Sequence, residues 1–281
     1  MSKSLTADRR NRIAQILMKE GSIKVGNLSE RFGVSTETIR KDIIYLEEEG
    51  IATKSHGGAI AKSDFVERPL NVKESEHADA KAAIAIAAIR LIQPGAAVIL
   101  DTGSTTGAIA RQLLLKEGLT IFTNSVTIAA MLAESDNAVY LFGGLVRSSS
   151  KAVVGDWATG ALAAVHADIA FLGSDGFKGL AGPSTLSYEE AEFKKKVIAA
   201  STATYTVCDS SKCQSAGLFA YAGWKDVTGL IIDQNIQESA AEDISRETKL
   251  ILAKNLLRRS AFDFRSPQRT FIKKGGIFDE L

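Results

Sequence analysis

From residue 79 onward, runs of consecutive apolar residues alternate with helix-like stretches. The runs are AAVIL (96–100), LTIFTN (119–124), AVYLFGG (138–144), DIAFLGS (168–174), ATYTVCDS (203–210), VTGLIID (227–233) and TKLILA (248–253). A strand with one wet face alternates apolar and polar residues, whereas a strand covered on both faces reads as continuously apolar. Between the runs, helical spacing predicts helices over 79–92, Thr106–Leu115, Ser125–Ala133, Val154–Val165 and Tyr188–Ser201. Strand and helix in strict alternation specify an α/β unit with a mostly parallel sheet between helical layers. Its expected extent is residues 79–253.

Residues 1–60 follow another rule. Ile13, Ile16 and Leu17 recur at helical spacing, Gly21 closes that helix, and Val25–Phe32 forms a second. Gly33-Val34-Ser35 makes a tight turn, and Ser35 is placed to cap a third helix over Thr36–Glu49, which Gly50 ends. IATKSHGGAI then alternates around a Gly-Gly pair, as a β-hairpin does. Three helices and a hairpin make a winged helix-turn-helix. A helix about 10 Å across fits the major groove of B-DNA. The face left over by Ile39, Ile43 and Leu46 offers Ser35, Thr36, Thr38, Arg40 and Lys41 to DNA, the hairpin offers Lys54 and His56, and the first helix Arg9, Arg10 and Arg12. Any three-helix bundle carries charges outside, so these residues alone do not separate a DNA-reading face from a solvated one. Residues 61–78 are polar and aperiodic, with Pro69, and read as a linker.

Ligands of open α/β sheets bind beyond the carboxyl ends of the strands. Those ends supply Asp101, Gly103, Ser104, Thr105 and Thr106 from DTGSTT, then Thr123 and Asn124, Gly143 and Gly144 with Arg147 behind, Asp175, and Lys212. Glycine lets a ligand approach the backbone, and hydroxyls and amides at a helix N-terminus solvate a dianion. Read one by one, Asp101 and Asp175 also suit helix caps, Asn124 a turn, and Arg147 a solvated surface charge. DTGSTT by itself fits an enzyme, a sensor or an ordinary turn. The convergence of five polar strand ends favours a specific small anion.

The stretch VSTETIRKDIIYLEEEG, followed by the GGA hairpin, resembles the DNA-binding domain of the DeoR family of bacterial transcriptional regulators. The resemblance runs on through DTGSTT, TNS, LFGG, GSDGF and CDSSK, over roughly residues 6–253. It implies a sensor domain similar to ribose-5-phosphate isomerase and the glucosamine-6-phosphate deaminases. In the isomerase pattern, Asp175 matches the first aspartate of a DGAD-like strand end. Glu189 matches the glutamate base, with Glu190 one residue on, and Lys212 matches the lysine of a DASK-like end. The second aspartate is missing, since the segment reads Gly176-Phe177-Lys178, and a KGGG-like loop is replaced by Leu180-Ala181-Gly182-Pro183. A site that keeps its phosphate grip and loses half its acid–base set binds without turnover.

The expectation is therefore a repressor of a carbohydrate-utilisation operon. Its partners would be double-stranded operator DNA, a phosphorylated sugar that relieves repression, and further copies of itself in a dimer or tetramer. The alternative is a sugar-phosphate isomerase-like enzyme; a third reading, a structural adaptor, uses the second domain only to oligomerise. No cofactor or metal is expected, because Cys208 and Cys213 form no CxxC or Cys/His cluster. The longest apolar-rich stretch, AAIAIAAIRLI, is too short for a bilayer, the N-terminus MSKSLTADRRNR has no apolar signal region, and a cytoplasmic location is expected. Net charge is only +1, but its distribution is uneven. Residues 1–60 hold ten Lys/Arg against eight Asp/Glu and residues 254–281 seven against three, so the middle is acidic. That 254–281 tail, weakly periodic and interrupted by Pro267, fits neither domain and is expected to be poorly ordered.

Overall fold

The computed structural model describes residues 2–48, 51–61 and 68–254. Gly50, most of the first half of the expected linker, and the tail beyond Lys254 lie outside the described residues. The N-terminal unit comprises α1 (Ser2–Glu20), β1 (Ser22–Lys24), α2 (Val25–Phe32), α3 (Thr36–Glu48), β2 (Ala52–Ser55) and β3 (Gly58–Ala61). Gly33, at φ 63°, ends α2 in a left-handed conformation that a side chain disfavours. Ser35 Oγ accepts the Thr38 N–H at 3.2 Å and so caps α3. Ile13, Leu17, Leu28, Ile39, Ile43 and Leu46 are buried together between the three helices. The hairpin β2–β3 gains a third strand, because β1 pairs antiparallel with β3 (Ile23 opposite Ala59). Three residues are too few to show a strand period, so this strand left no pattern in the sequence.

The second unit runs through α4 (Leu70–Ser75), α5 (Ala78–Ile89), β4 (Ala97–Leu100), α6 (Ser104–Leu113), β5 (Thr120–Thr123), α7 (Val126–Leu132) and β6 (Ala138–Leu141). It continues with the hairpin of β7 (Leu145–Val146) and β8 (Val153–Val154), α8 (Asp156–Ala161), β9 (Ala167–Gly173), β10 (Ser184–Thr185), α9 (Tyr188–Ala199) and β11 (Ser201–Val207). It closes with β12 (Phe219–Ala220), β13 (Gly229–Asp233), α10 (Glu238–Ser245) and β14 (Lys249–Ala253). Seven strands form one sheet in the order β14-β13-β11-β9-β4-β5-β6, with every ladder parallel. Side chains alternate between its faces. Val98, Leu100 and Phe171 pack with Ile84, Ile109, Leu113 and Ile128 of α5, α6 and α7. Ile99, Ala170 and Leu172 pack on the other face with Leu162, Phe193 and Val197.

The expected linker is corrected in its second half. Residues 70–75 form α4, which lies against α6. Its two turns are too short for periodicity to reveal. No helix among the described residues is long and apolar enough to cross a membrane.

Chain order explains where a crevice must open. From β4 the chain steps outward to β5 and β6, then returns to place β9 on the other side of β4. Loops leaving β4 and β9 therefore diverge, and the gap between them is the switch point at which open α/β sheets bind ligands.

Phe171 is fully buried in the β4–β9 core, so Phe171→Ala should cost about 3–5 kcal/mol. Leu115→Ala, at a position 84% exposed, should change stability by less than about 0.5 kcal/mol. Urea unfolding midpoints measure both, and equal shifts would contradict this core.

Candidate functional site

A pocket opens at the switch point. Its wall includes Thr102, Gly103, Ser104 and Thr105 from the end of β4, Gly173, Ser174 and Asp175 from the end of β9, and Asp209 and Lys212 after β11. Gly103 adopts φ 150°, where a Cβ would lie 3.2 Å from Thr106 Oγ1, so the turn into α6 requires glycine. The start of α6 thus presents Ser104 and Thr105 with the free amides of a helix N-terminus, a ready anion cradle.

The floor is a buried ion pair. Asp101 has no exposed surface, bonds the Lys194 ammonium of α9, and accepts the Gly173 N–H at 3.1 Å. Burial pushes the Asp101 carboxyl up from its ordinary range, and Lys194 and the Gly173 N–H hold against that push. Asp101 therefore supports the pocket from beneath rather than lining it.

Asp175 lines the wall and is heavily engaged. Its carboxylate takes Lys73 Nζ at 2.7 Å, Thr185 Oγ1 at 3.0 Å and the Leu186 N–H at 3.0 Å. Burial opposes its charge, but Lys73 and these hydrogen bonds prevail and hold its carboxyl well below the usual carboxylate range. A general base for isomerisation works best with a pKa near the operating pH. Asp175 is tuned the other way and serves as a fixed hydrogen-bond acceptor. Glu190 faces the pocket and is paired with Arg147, with Ser150 Oγ donating to it at 2.7 Å.

Several expected residues sit elsewhere. Glu189 does not line the pocket: it accepts Gln15 Nε2 at 2.8 Å and Ser187 Oγ at 3.0 Å. One residue on a helix is a 100° turn, and that turn brings Glu190 inward in its place. Thr123 and Asn124 are fully buried. Thr123 Oγ1 accepts the Ser125 N–H, and Asn124 Oδ1 accepts the Thr102 N–H at 3.0 Å. Asn124 braces the β4 loop from behind, and Thr123 closes its own turn. Thr106 is also buried, its hydroxyl donating to Gly103 O. Gly143 and Gly144 lie outside the lining; a Cβ on Gly144 would meet Val154 O at 2.5 Å, which ties that glycine to the β7–β8 hairpin. Arg147 is not on the lining itself and meets it through Glu190 and through Ser150 Oγ at 3.2 Å.

Sequence reading missed four cations on the lining, among them Lys194, the partner of Asp101. Lys73 and Arg68 belong to the segment read as linker. Lys81, on α5, is 4% exposed and donates to the carbonyls of Lys73 and Glu76. Burial lowers its pKa, the nearby Asp209 opposing. It shares a helix face with buried Ile84, Ala85 and Ala88, and a lone lysine on such a stripe was the available signal. Lys212 has no side-chain partner among the described residues.

The surface offered by the N-terminal unit is clearer after one correction. Arg9 is committed to the buried Asp42 at 2.7 Å, and Arg10 joins it at 3.0 Å while covering the Tyr45 ring at 4.1 Å. Both fasten α1 to α3. Thr36, Arg40 and Lys41 remain exposed on α3, with Arg40 only loosely near Glu37 at 3.6 Å. Ser35 and Thr38 are engaged with each other at the helix start. Lys54 pairs with Glu47 at 2.8 Å, and His56 is exposed at the hairpin turn.

The Asp175 geometry has a pH consequence. A carboxylate whose folded pKa is depressed contributes stability above its unfolded value, near pH 4, and that stability is lost as pH falls toward the folded value. Unfolding free energy should therefore decline more between pH 5 and pH 3 for the wild type than for Asp175→Asn. Parallel denaturation curves across that range would contradict the assignment.

Comparison with known proteins identifies the family. The family model described as the DeoR-like helix-turn-helix domain matches residues 9–65, and the one described as the DeoR C terminal sensor domain matches residues 76–234. A protein of Escherichia coli O157:H7 named as an aga operon transcriptional repressor is 34% identical over 86% of this chain and 91% of its own length. The transcriptional regulator GlpR of Haloferax volcanii is 31% identical over 85% of this chain and 94% of its own. A lactose phosphotransferase system repressor of Staphylococcus epidermidis is 31% identical over 81% and 92%. The solved structure of the sorbitol operon regulator SorC from Klebsiella pneumoniae overlaps loosely, with TM-score 0.38 and 13% identity over 83% of this chain and 97% of that one. These relatives are transcriptional regulators rather than enzymes, and this chain belongs to the DeoR family of helix-turn-helix transcriptional regulators.

Proposed function

We propose that the protein is a repressor of a carbohydrate-utilisation operon, relieved when a phosphorylated sugar fills the switch-point pocket. The observation that carries this reading is the pairing of an anion cradle at Gly103–Thr105 with the side chains of Lys81 and Lys212 on one pocket lining. The phosphate would sit on the α6 amides and hydroxyls, its charge met by Lys81 and Lys212. The sugar hydroxyls would donate to Asp175 and Glu190. Asp175, held well below the usual carboxylate range, is not set up to shuttle a proton, and the position that the isomerase pattern gives to its second aspartate is occupied here by the exposed Lys178. The curated relatives named for sugar operons support the same reading.

The α3 face carrying Thr36, Arg40 and Lys41, with Ser35 at its start, would enter the major groove, and Lys54 and His56 would approach the flanking backbone. A repressor reading a two-fold operator needs two such helices, which assigns the protein a homo-oligomer. A second copy would cover the apolar edge formed by Tyr140 and Leu141 of β6, Leu145 and Val146 of β7, and Trp157 of α8, which is 81% exposed.

A mobility shift on DNA upstream of its own gene tests the central reading. The panel would be ribose 5-phosphate, glucose 6-phosphate, fructose 6-phosphate and glucosamine 6-phosphate. At least one should release the DNA, and turnover of any would overturn the sensor assignment. Arg40→Ala should weaken operator binding by about 1–3 kcal/mol and leave sugar-phosphate binding intact. Thr105→Ala should do the reverse. Trp157→Glu should lower the mass seen by sedimentation equilibrium; an unchanged oligomer would remove the β6 edge as its interface.

A further inference from the structure

The segment Ser184–Glu190 has two faces with different neighbours. On one side, Thr185 and Glu190 line the pocket. On the other, Leu186 is buried in the core of the winged helix-turn-helix unit, where Leu218 also packs, and Glu189 accepts Gln15 Nε2 of α1 at 2.8 Å. The segment is firmly braced. Asp175 N donates to Ser184 O at 2.9 Å, and Gly217 N donates to Ser184 Oγ at 2.6 Å. A Cβ on Gly217 would lie 2.5 Å from the Thr185 backbone, so the segment leading into Leu218 packs closely on Ser184–Thr185.

A second connection meets the first at the same atom group. Lys73 of α4 lies on the chain that leads back to the wing, and its ammonium is bonded to Asp175 Oδ1. Asp175 Oδ2 receives the Thr185 hydroxyl and the Leu186 N–H. One pocket-lining carboxylate thus holds both the connecting helix and the residue on which the winged unit is seated.

We propose that Asp175 couples the pocket to the winged helix-turn-helix unit through Leu186, so that a ligand hydroxyl engaging this carboxylate shifts how that unit is seated. The inference rests on the reading of the pocket as a sugar-phosphate sensor. A hydroxyl donating to Asp175 competes with Leu186 N–H, Thr185 Oγ1 and Lys73 for its lone pairs. The winged unit then exchanges one seating for another, and the operator distinguishes them because recognition helices must match the half-site spacing. Coupling requires that the ligand bind the two seatings unequally, and competition at Asp175 supplies that difference.

The test uses the full chain with spin labels on His56→Cys and Leu115→Cys, diluted with unlabelled chain. Both sites are exposed, and the native Cys208 and Cys213 are buried. Without any ligand, Asp175→Asn should shift the distance distribution between the labels. Adding Leu186→Ala should remove that shift, and Gln15→Ala, on the surface of the same contact, should reduce it. An unshifted distribution in Asp175→Asn, with its helical circular dichroism intact, overturns the proposal even where sugar phosphate still releases DNA. In the mobility shift, the sugar phosphate that acts on the wild type should change operator affinity by about 5–150-fold. Gln15→Ala and Leu186→Ala should reduce that change to about twofold while each still binds DNA and ligand. Full retention in both variants also overturns it. If no sugar phosphate acts on the wild type, the sensor reading fails, and the ligand-free label distances still decide the coupling.

Discussion

The buried pair of Asp101 and Lys194 is the interaction on which the site depends. Two charges removed from water cost several kcal/mol each unless each finds a partner and further hydrogen bonds. Asp101 follows the last residue of β4, Lys194 projects from α9, and the Gly173 N–H ends β9. Their meeting forces three elements that are distant in sequence to one point beneath the switch-point crevice. Such a pair adds little net stability over a well-packed apolar alternative. Its consequence here is positional: the DTGSTT loop, the Gly173–Asp175 turn and the start of α9 all leave from that point.

From this floor upward, most lining carboxylates are paired, and two lining cations, Lys81 and Lys212, have no carboxylate partner among the described residues. Asp175 is met by Lys73, Glu190 by Arg147 and Glu76 by Arg68, whereas Lys212 faces the pocket with no side-chain partner among the described residues. A phosphate seated on the α6 amides would supply the missing negative charge. Carboxylates held by cations in this way remain good acceptors for hydroxyls.

The alternation of continuous apolar runs with helices made the sheet and its helical layers legible, because both faces of the central strands are covered. The strand ends were legible for the same reason: polarity appears where the sheet stops. What failed was direction at single-residue resolution. Glu189 and Glu190 are adjacent and chemically identical, and only the phase of α9, set by Phe193 and Val197 packing, decides which faces the pocket. Thr123 and Asn124 stand at a strand end yet spend their hydrogen bonds on Ser125 and Thr102. Arg9 looked like a surface cation, but Asp42 sits one helix away, 33 residues along the chain, beyond the reach of local pattern. Lys73 and Arg68 were hidden because a two-turn helix in a polar stretch carries no period. Lys81 broke an otherwise apolar stripe and could have been found.

The central claim is that the Gly103–Thr105 cradle holds the phosphate of an intact sugar phosphate. Phosphorus NMR of the full chain with the sugar phosphate that releases DNA tests it most directly. The ligand resonance should shift and broaden with the wild type but not with Thr105→Ala, and should keep its chemical identity through a long incubation. A new phosphomonoester resonance growing with time, or unchanged broadening in Thr105→Ala, would contradict it.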